Sequence, residues 1–318
     1  MSDQLQMRDS TAYIDDASRL SEILQEDGYL FLHRLVDPTR IQKVKQDIMA
    51  ILREHHIIED DGAADPMWSG GPHPTEAEYM AFYDKIVRLD SFKRLAESPE
   101  IITLMEGLLG GPIQVWEQRL IRVLYPDPDT SAPIGLGAHQ DGHTKFGYNA
   151  RTFYGCWISL MEIDERVGGL AVAPGSHKGG ILDHEGTLGS SAEAAKKQGL
   201  GLSVSDLTWA STEYLPGDAV IFTNLTIHRG LPNRSDRIRL SCDYRYQRAG
   251  DSASWLAHTL GPDVRRVAQQ LDETIASRAL FVTTRATSEI LEEVRWRMLI
   301  EKSTSLERAQ ELVTEIED

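Results

Sequence analysis

The sequence predicts a mainly β fold with flanking helices, in which a barrel or sandwich of short strands lies between helical segments. Across residues 112–250, apolar and polar positions alternate with a two-residue period between Gly, Pro, Asn and Asp turns. PIQVWEQRLIRVLYP, RTFYGCWISLMEI, GGLAVAPGSH, GDAVIFTN and RIRLSCDYRYQ are the clearest such runs. On both sides of this block the apolar period becomes helical, and many strands gathered in one block fold as a barrel or sandwich. The expected organisation is one domain over 1–250, with a helical part (1–111) and a β core (112–250). A helical C-terminal extension (251–318) follows, packed on the core or at a dimer contact.

The elements follow in order. ASRLSEILQEDG reads as a helix stopped by Gly28, and YLFLHRLV as a strand. Asp37 and Pro38 form an N-cap and first-turn pair for a helix with Ile41, Val44, Ile48 and Ile51 on one face. Residues 59–74, rich in Gly, Pro and Asp, form a loop, and Thr75 with Glu78 makes a capping box. Ser98 and Pro99 start a helix that Gly110 and Gly111 stop. Within the β block a polar, Gly/Ser-rich insertion spans about 178–212. From Pro262 onward Val264, Val267, Leu271 and Ile275 share a helical face, and Thr304 with Glu307 caps a last helix. The long loops at 59–74 and 178–212 are expected to flank the barrel mouth as a lid carrying Met67 and Trp68. The alternative is a solvated loop with Trp68 tucked against the body.

A formal charge of −16 argues against nucleic acid or an anionic membrane surface as partner. The N-terminal residues carry no secretory pattern and no apolar run approaches spanning length. Cys156 and Cys242 lie in strand runs and read as buried thiols, so a cytoplasmic protein is expected.

The stretch AHQDGH, residues 138–143, carries the chemistry. As a helix it would align His139 with His143, but Gly135, Gly137 and Gly142 disfavour one. As a strand it points His139 and Asp141 to the same side, giving two of the three ligands of a 2-His-1-carboxylate triad. A turn histidine beside a loop aspartate is the alternative, and this stretch alone does not separate the two. The third ligand would come from His177, His184, His228 or His258. His177 sits in a turn, where hydrogen bonding is the simpler role, and His184 lies in the insertion. His228 follows a turn and a strand that would hold it at a fixed height. In RIRLSCDYRYQ, Ile238, Leu240, Cys242 and Tyr244 form an apolar face, with Arg239, Ser241 and Asp243 opposite. If the apolar face packs on helices, Arg239 points into the barrel and needs a carboxylate, which a cosubstrate would supply.

Taken together, HQD, GGLAVAPGSH, PGDAVIFTNLTIH and PNRSDRIRLS resemble the phytanoyl-CoA dioxygenase family of Fe(II)/2-oxoglutarate oxygenases. The resemblance runs from about Gly28 to Gln247 and is nearest to the family's bacterial natural-product hydroxylases. It implies a double-stranded β-helix (jelly-roll, cupin-like) core, iron held by His139, Asp141 and His228, and 2-oxoglutarate gripped at its distal carboxylate by Arg239, with Ser241 adding a hydroxyl. Gln118 and Arg122 lie four apart on one side of VWEQRLIRVL, a strand on which related enzymes place cosubstrate contacts. A solvated edge strand is the alternative for that pair. Trp157 is expected to line the same cavity or serve the core, and His143 to contact substrate or belong to the loop. The chain departs from some relatives at Gly230, where they carry a serine. Related halogenases replace the Asp141 carboxylate with a small residue, so its presence favours hydroxylation or another oxidation.

The expected activity is oxidation of a small organic molecule, in secondary metabolism, using Fe(II), 2-oxoglutarate and O2 and releasing succinate and CO2. The alternatives are a non-redox divalent-metal enzyme of cupin type and a non-catalytic binding protein of the same fold. No nucleic-acid or membrane partner is expected, and a homodimer is.

Overall fold

The computed structural model describes residues 5–59, 62–116, 119–126, 137–142, 152–180 and 207–249, with isolated backbone at 184–185 and 199–200 and at residue 311. The chain divides into two compact units, residues 1–143 with 152–251 and residues 144–151 with 252–318, and nearly all described residues belong to the first. Gln118, His143, His258, most of the insertion and the expected C-terminal helices lie outside the described residues.

The helices form where caps and apolar stripes coincide. In α1 (Ala17–Asp27) the Asp16 carboxylate accepts the Arg19 N–H, and Gly28, at φ 82, closes the helix in the left-handed region. Asp37 caps α2 (Pro38–Glu54), which buries Ile41, Val44, Ile48 and Leu52. Thr75 and Glu78 complete the capping box of α3 (Glu76–Val87). A short α4 (Asp90–Leu95) leads to α5 (Pro99–Leu109), which ends at Gly110 with φ 72. Ser98 does not cap α5 with its side chain; its hydroxyl donates to the Leu95 carbonyl at 2.8 Å.

The strands are β1 (Leu5–Gln6), β2 (Tyr29–Leu32), β3 (Ile113–Val115), β4 (Leu120–Leu124), β5 (Phe153–Ser159), β6 (Leu170–Val172), β7 (His184–Glu185), β8 (Gly199–Leu200), β9 (Ala210–Ser211), β10 (Ala219–Thr223), β11 (His228–Gly230) and β12 (Arg239–Arg248). The major sheet runs β2-β10-β5-β12-β3, with β4 also paired to β12; the minor sheet runs β1-β9-β6-β11. Apart from the parallel β1–β9 pair, both sheets are antiparallel. They form the double-stranded β-helix, jelly-roll core, flanked by the helices. Strand β2 stops at Leu32, short of the predicted YLFLHRLV, because buried Asp218 takes the Arg34 N–H at 2.9 Å and His33 Nδ1 at 3.2 Å. Arg34 then turns the chain at φ 45.

Strand β12 organises the major sheet, since β5 pairs along one edge and β4 and β3 along the other. Its even-numbered residues Leu240, Cys242, Tyr244 and Tyr246 are fully buried. The Tyr244 hydroxyl donates to the Phe92 carbonyl at 2.9 Å and the Tyr246 hydroxyl to Ala96 at 2.6 Å, fastening this face to the helical layer. Cys156 and Cys242 are buried free thiols. The odd-numbered residues therefore face the opposite side, as the alternation predicts. Loop 62–74 is fastened to the body: Met67 and Trp68 make bridges to Arg237 and Ile58, and the Trp68 ring lies 5.3 Å from His73 and 6.4 Å from Tyr125. Trp68 is thus tucked in rather than held out. Among the described residues no helix is long and apolar enough to cross a membrane.

Candidate metal centre

The residues after Gly137 do not form a strand. His139 makes a single antiparallel bridge with His228, through His139 N–H to His228 O and His228 N–H to His139 O, both at 3.0 Å. The chain then turns at Asp141 and Gly142. Gln140 is fully buried on the far side, donating to the carbonyls of Leu225 at 2.7 Å and Gly180 at 2.8 Å. The Gly142 N–H donates to Asn224 O at 2.6 Å, and a Cβ at Gly142 would lie 2.8 Å from the Asn224 side chain. The Asn224 carbonyl oxygen would lie 3.0 Å from the same Cβ, so glycine suits this close approach. These contacts, not a strand's alternation, aim Asp141 at the two imidazoles.

The result is a buried cluster of His139, Asp141 and His228, whose ligand atoms lie within 4.8 Å of one another. Asp141 Oδ1 is 3.6 Å from His139 Nε2 and 3.7 Å from His228 Nε2. The Nδ1 atoms face backbone carbonyls, Gly137 O at 2.7 Å and Thr226 O at 3.0 Å. A carbonyl can only accept, so each Nδ1 carries the proton and each Nε2 presents a lone pair to the cluster. Burial, then the neighbouring His139, pushes His228 down to about 4, which keeps its ring neutral near pH 7. Burial alone would push the Asp141 carboxyl up. Arg245, His139 and His228 together outweigh it and hold the group well below the usual carboxylate range. Two imidazoles and one carboxylate fit a divalent iron site of the facial-triad type.

Arg239 lies on the same face of β12, buried. Its Nη1 donates to the carbonyls of Gly168, Gly169 at 3.2 Å and Leu231 at 3.4 Å. This explains the GG of GGLAVAPGSH. Gly168 sits at φ 69, where a Cβ would meet Pro232 O at 2.3 Å, and one at Gly169 would meet the Tyr214 ring at 2.3 Å. Among the described residues no carboxylate pairs with Arg239. Among the described residues its Nε and the buried Ser241 hydroxyl have no hydrogen-bond partner. Burial, then repulsion from Arg122, pushes the guanidinium down to about 10, the signature of a buried cation without a counter-charge. A Cβ at Gly230 would lie 3.5 Å from Arg239 Nη2, an ordinary contact. A Cβ is therefore accommodated at this position.

Other expected contacts are distributed differently. Arg122 lies across from Ser241 on β4, its side chain 31% exposed, and pairs with Asp243 at 3.1 Å. Trp157 sits opposite Asp243 on the same face, its ring 4.8 Å from Tyr214. His177 is outside the cluster, with Nε2 at 3.0 Å from Gln25 O at the end of α1. Sequence reasoning missed Arg245, whose Nε and Nη2 lie 3.0 and 2.8 Å from Asp141 Oδ2. Carrying the β12 alternation two residues past Asp243 would have found it.

The family model described as phytanoyl-CoA dioxygenase (PhyH) matches residues 24–241. The 1-deoxypentalenic acid 11-beta-hydroxylase of Streptomyces exfoliatus is 27% identical over 265 residues, covering 80% of this chain and 89% of the relative. Among solved structures, the non-heme monooxygenase ThoJ, in apo form, shares 18% identity and a TM-score of 0.55, covering 76% of this chain and 80% of ThoJ. The epimerase SnoN, in complex with Fe3+, alpha ketoglutarate and nogalamycin RO, shares 20% identity and a TM-score of 0.51, covering 74% of this chain and 84% of SnoN. These two likenesses concern the fold.

Proposed function

Because the chain belongs to the phytanoyl-CoA dioxygenase family, we propose that it is an Fe(II)/2-oxoglutarate-dependent oxygenase that hydroxylates, or otherwise oxidises, a small organic molecule of secondary metabolism. The observation that carries this reading is the pairing of the buried His139–Asp141–His228 cluster with Arg239, a buried cation lacking a carboxylate among the described residues. His139 Nε2, Asp141 Oδ1 and His228 Nε2 would hold the iron. Bound there with 2-oxoglutarate, Fe(II) supplies O2 activation coupled to release of succinate and CO2, and with it the power to oxidise a C–H bond. The protein's own part is orientation and exclusion of water. Arg239 offers Nε and the rest of its planar fork to the distal carboxylate, and the Ser241 hydroxyl adds a donor on the same face. Trp157 and Phe222, the latter 4.4 Å from the His228 ring, wall the site with apolar surface. The hydroxylase relative supports a small-molecule substrate, and the SnoN name shows that a protein of this fold carries out another outcome, epimerisation. A non-redox metal enzyme would leave Arg239 unexplained.

The test is anaerobic. Adding Fe(II) and then 2-oxoglutarate is expected to produce a weak visible metal-to-ligand charge-transfer band. A band absent at saturating concentrations of both would overturn the reading. We also propose that the segment 251–318 packs on the core or takes part in a homodimer. Truncation at Gly261 is then expected to reduce solubility or change the oligomeric state read by sedimentation; a soluble, active protein of unchanged oligomeric state would exclude both roles.

A further inference from the structure

Four charged side chains form a continuous chain that ends on the carboxylate of the metal cluster. Arg122 Nη2 lies 3.1 Å from Asp243 Oδ2, which lies 3.3 Å from Arg245 Nη2. Arg245 reaches Asp141 Oδ2 with Nη2 at 2.8 Å and Nε at 3.0 Å. Side-chain exposure falls along the chain from 31% at Arg122 to 7% at Asp243 and 3% at Arg245, with Asp141 at 4%. Buried ion pairs are poor stabilisers, because desolvation offsets most of the attraction and apolar residues of the same volume do as well. The explanation lies in what the chain does to Asp141.

A carboxylate beside a metal can bind through either oxygen or through both. Here the two oxygens have different surroundings: Oδ2 receives both Arg245 donors, and Oδ1 faces His139 Nε2 and His228 Nε2 at 3.6 and 3.7 Å. Resting on the oxygenase reading above, we propose that Arg245 is a positioning residue that selects Oδ1 as the metal-binding oxygen and prevents chelation through both. One-point binding by Asp141 keeps the positions open that a 2-His-1-carboxylate site needs for cosubstrate and oxygen. Asp243 in turn fixes the Arg245 fork, and Arg122 supplies the second positive charge that balances two carboxylates. The backbone supports this order, since Arg245 and Asp243 share one face of β12 while Asp141 arrives on the turn after His139. The ligand from the least regular segment is the one held by the most regular strand.

Cobalt(II) alone, under anaerobic conditions, is the probe, read by its d–d absorption and by titrated affinity, with 2-oxoglutarate added afterwards. Arg245→Met is expected to weaken Co(II) binding about 10–100-fold, the usual effect of losing a partner of a metal ligand. It is also expected to change the d–d band, which a merely structural role would leave alone. Arg245→Lys, which keeps the charge but loses the two-donor grip, should fall between Arg245→Met and the wild type. Asp243→Asn should shift both readouts in the same direction by less. Far-UV circular dichroism checks folding, and if Arg245→Met does not fold, Arg245→Lys decides. A folded Arg245 variant with Co(II) affinity within about twofold of wild type, far below the usual effect, and with an unchanged band overturns the proposal. If instead the wild type itself neither binds Co(II) nor responds to 2-oxoglutarate, the oxygenase reading fails.

Discussion

Replacing His139, Asp141 or His228 with alanine is expected to abolish Fe(II) binding and succinate formation, while the three variants differ in stability. A facial triad missing one ligand holds a divalent ion poorly, and the three ligand groups here lie within 4.8 Å with no other His, Cys, Asp or Glu joining them among the described residues. Removing either imidazole leaves Asp141 and Arg245 paired. Removing the Asp141 carboxylate takes that pair from the buried Arg245 guanidinium, which keeps its contact with Asp243 at 3.3 Å. Breaking a buried pair by deleting one partner costs about 3–5 kcal/mol, and Asp243 brings the expected loss to the lower end, about 3 kcal/mol. Asp141→Ala should therefore unfold in clearly less urea than the histidine variants, although all three have lost iron equally. His177→Ala serves as the control, since that ring is bonded to Gln25 O and lies outside the cluster. If His177→Ala loses iron while His228→Ala keeps it, the assignment of the third ligand is wrong.

Arg239→Lys is expected to raise the 2-oxoglutarate requirement by roughly thirtyfold or more, equivalent to a loss of about 2 kcal/mol. A lysine ammonium can still reach one carbonyl, but it cannot donate from a rigid plane to the Gly168 and Gly169 carbonyls and to a carboxylate at once. Iron affinity should stay near wild type, because Arg239 contacts none of the three ligands. The separation is visible in thermal melts. Wild-type protein loaded with metal should gain melting temperature on adding 2-oxoglutarate, and Arg239→Lys should lose most of that gain at the same concentration. Equal cosubstrate affinity in the two proteins would make Arg239 a structural arginine that only braces the glycine pair.

The parts of the fold legible in the sequence are those set by local periodicity and capping. Leu240, Cys242 and Tyr244 alternate with Arg239, Ser241 and Asp243, and the structure buries the first set against the helices. Thr75 with Glu78, and Asp37 with Pro38, mark helix starts because capping acts within four residues. What was not legible depends on contacts distant in sequence. The end of β2 is decided by Asp218, which no pattern around His33 reveals. The aspartate of HQD comes into position through a turn braced by Asn224 and Leu225, so the same-side placement expected of a strand was reached by another route. The partnership of Arg245 with Asp141 spans the loop segments between them, and only the parity of β12 hints at it.

The paired backbones of His139 and His228 bear on how such a scaffold can diversify. The two ligands are separated by most of the β block, yet two mutual amide–carbonyl bonds fix their relative height and spacing. Residues 143–151 and the insertion at about 178–212 both fall between them in the chain. An insertion or deletion there changes the length of the excursion and not the register at its two ends. Length changes in the intervening chain can therefore accumulate without re-tuning the metal geometry, and inheritance of the metal site is uncoupled from inheritance of the sequence between its ligands.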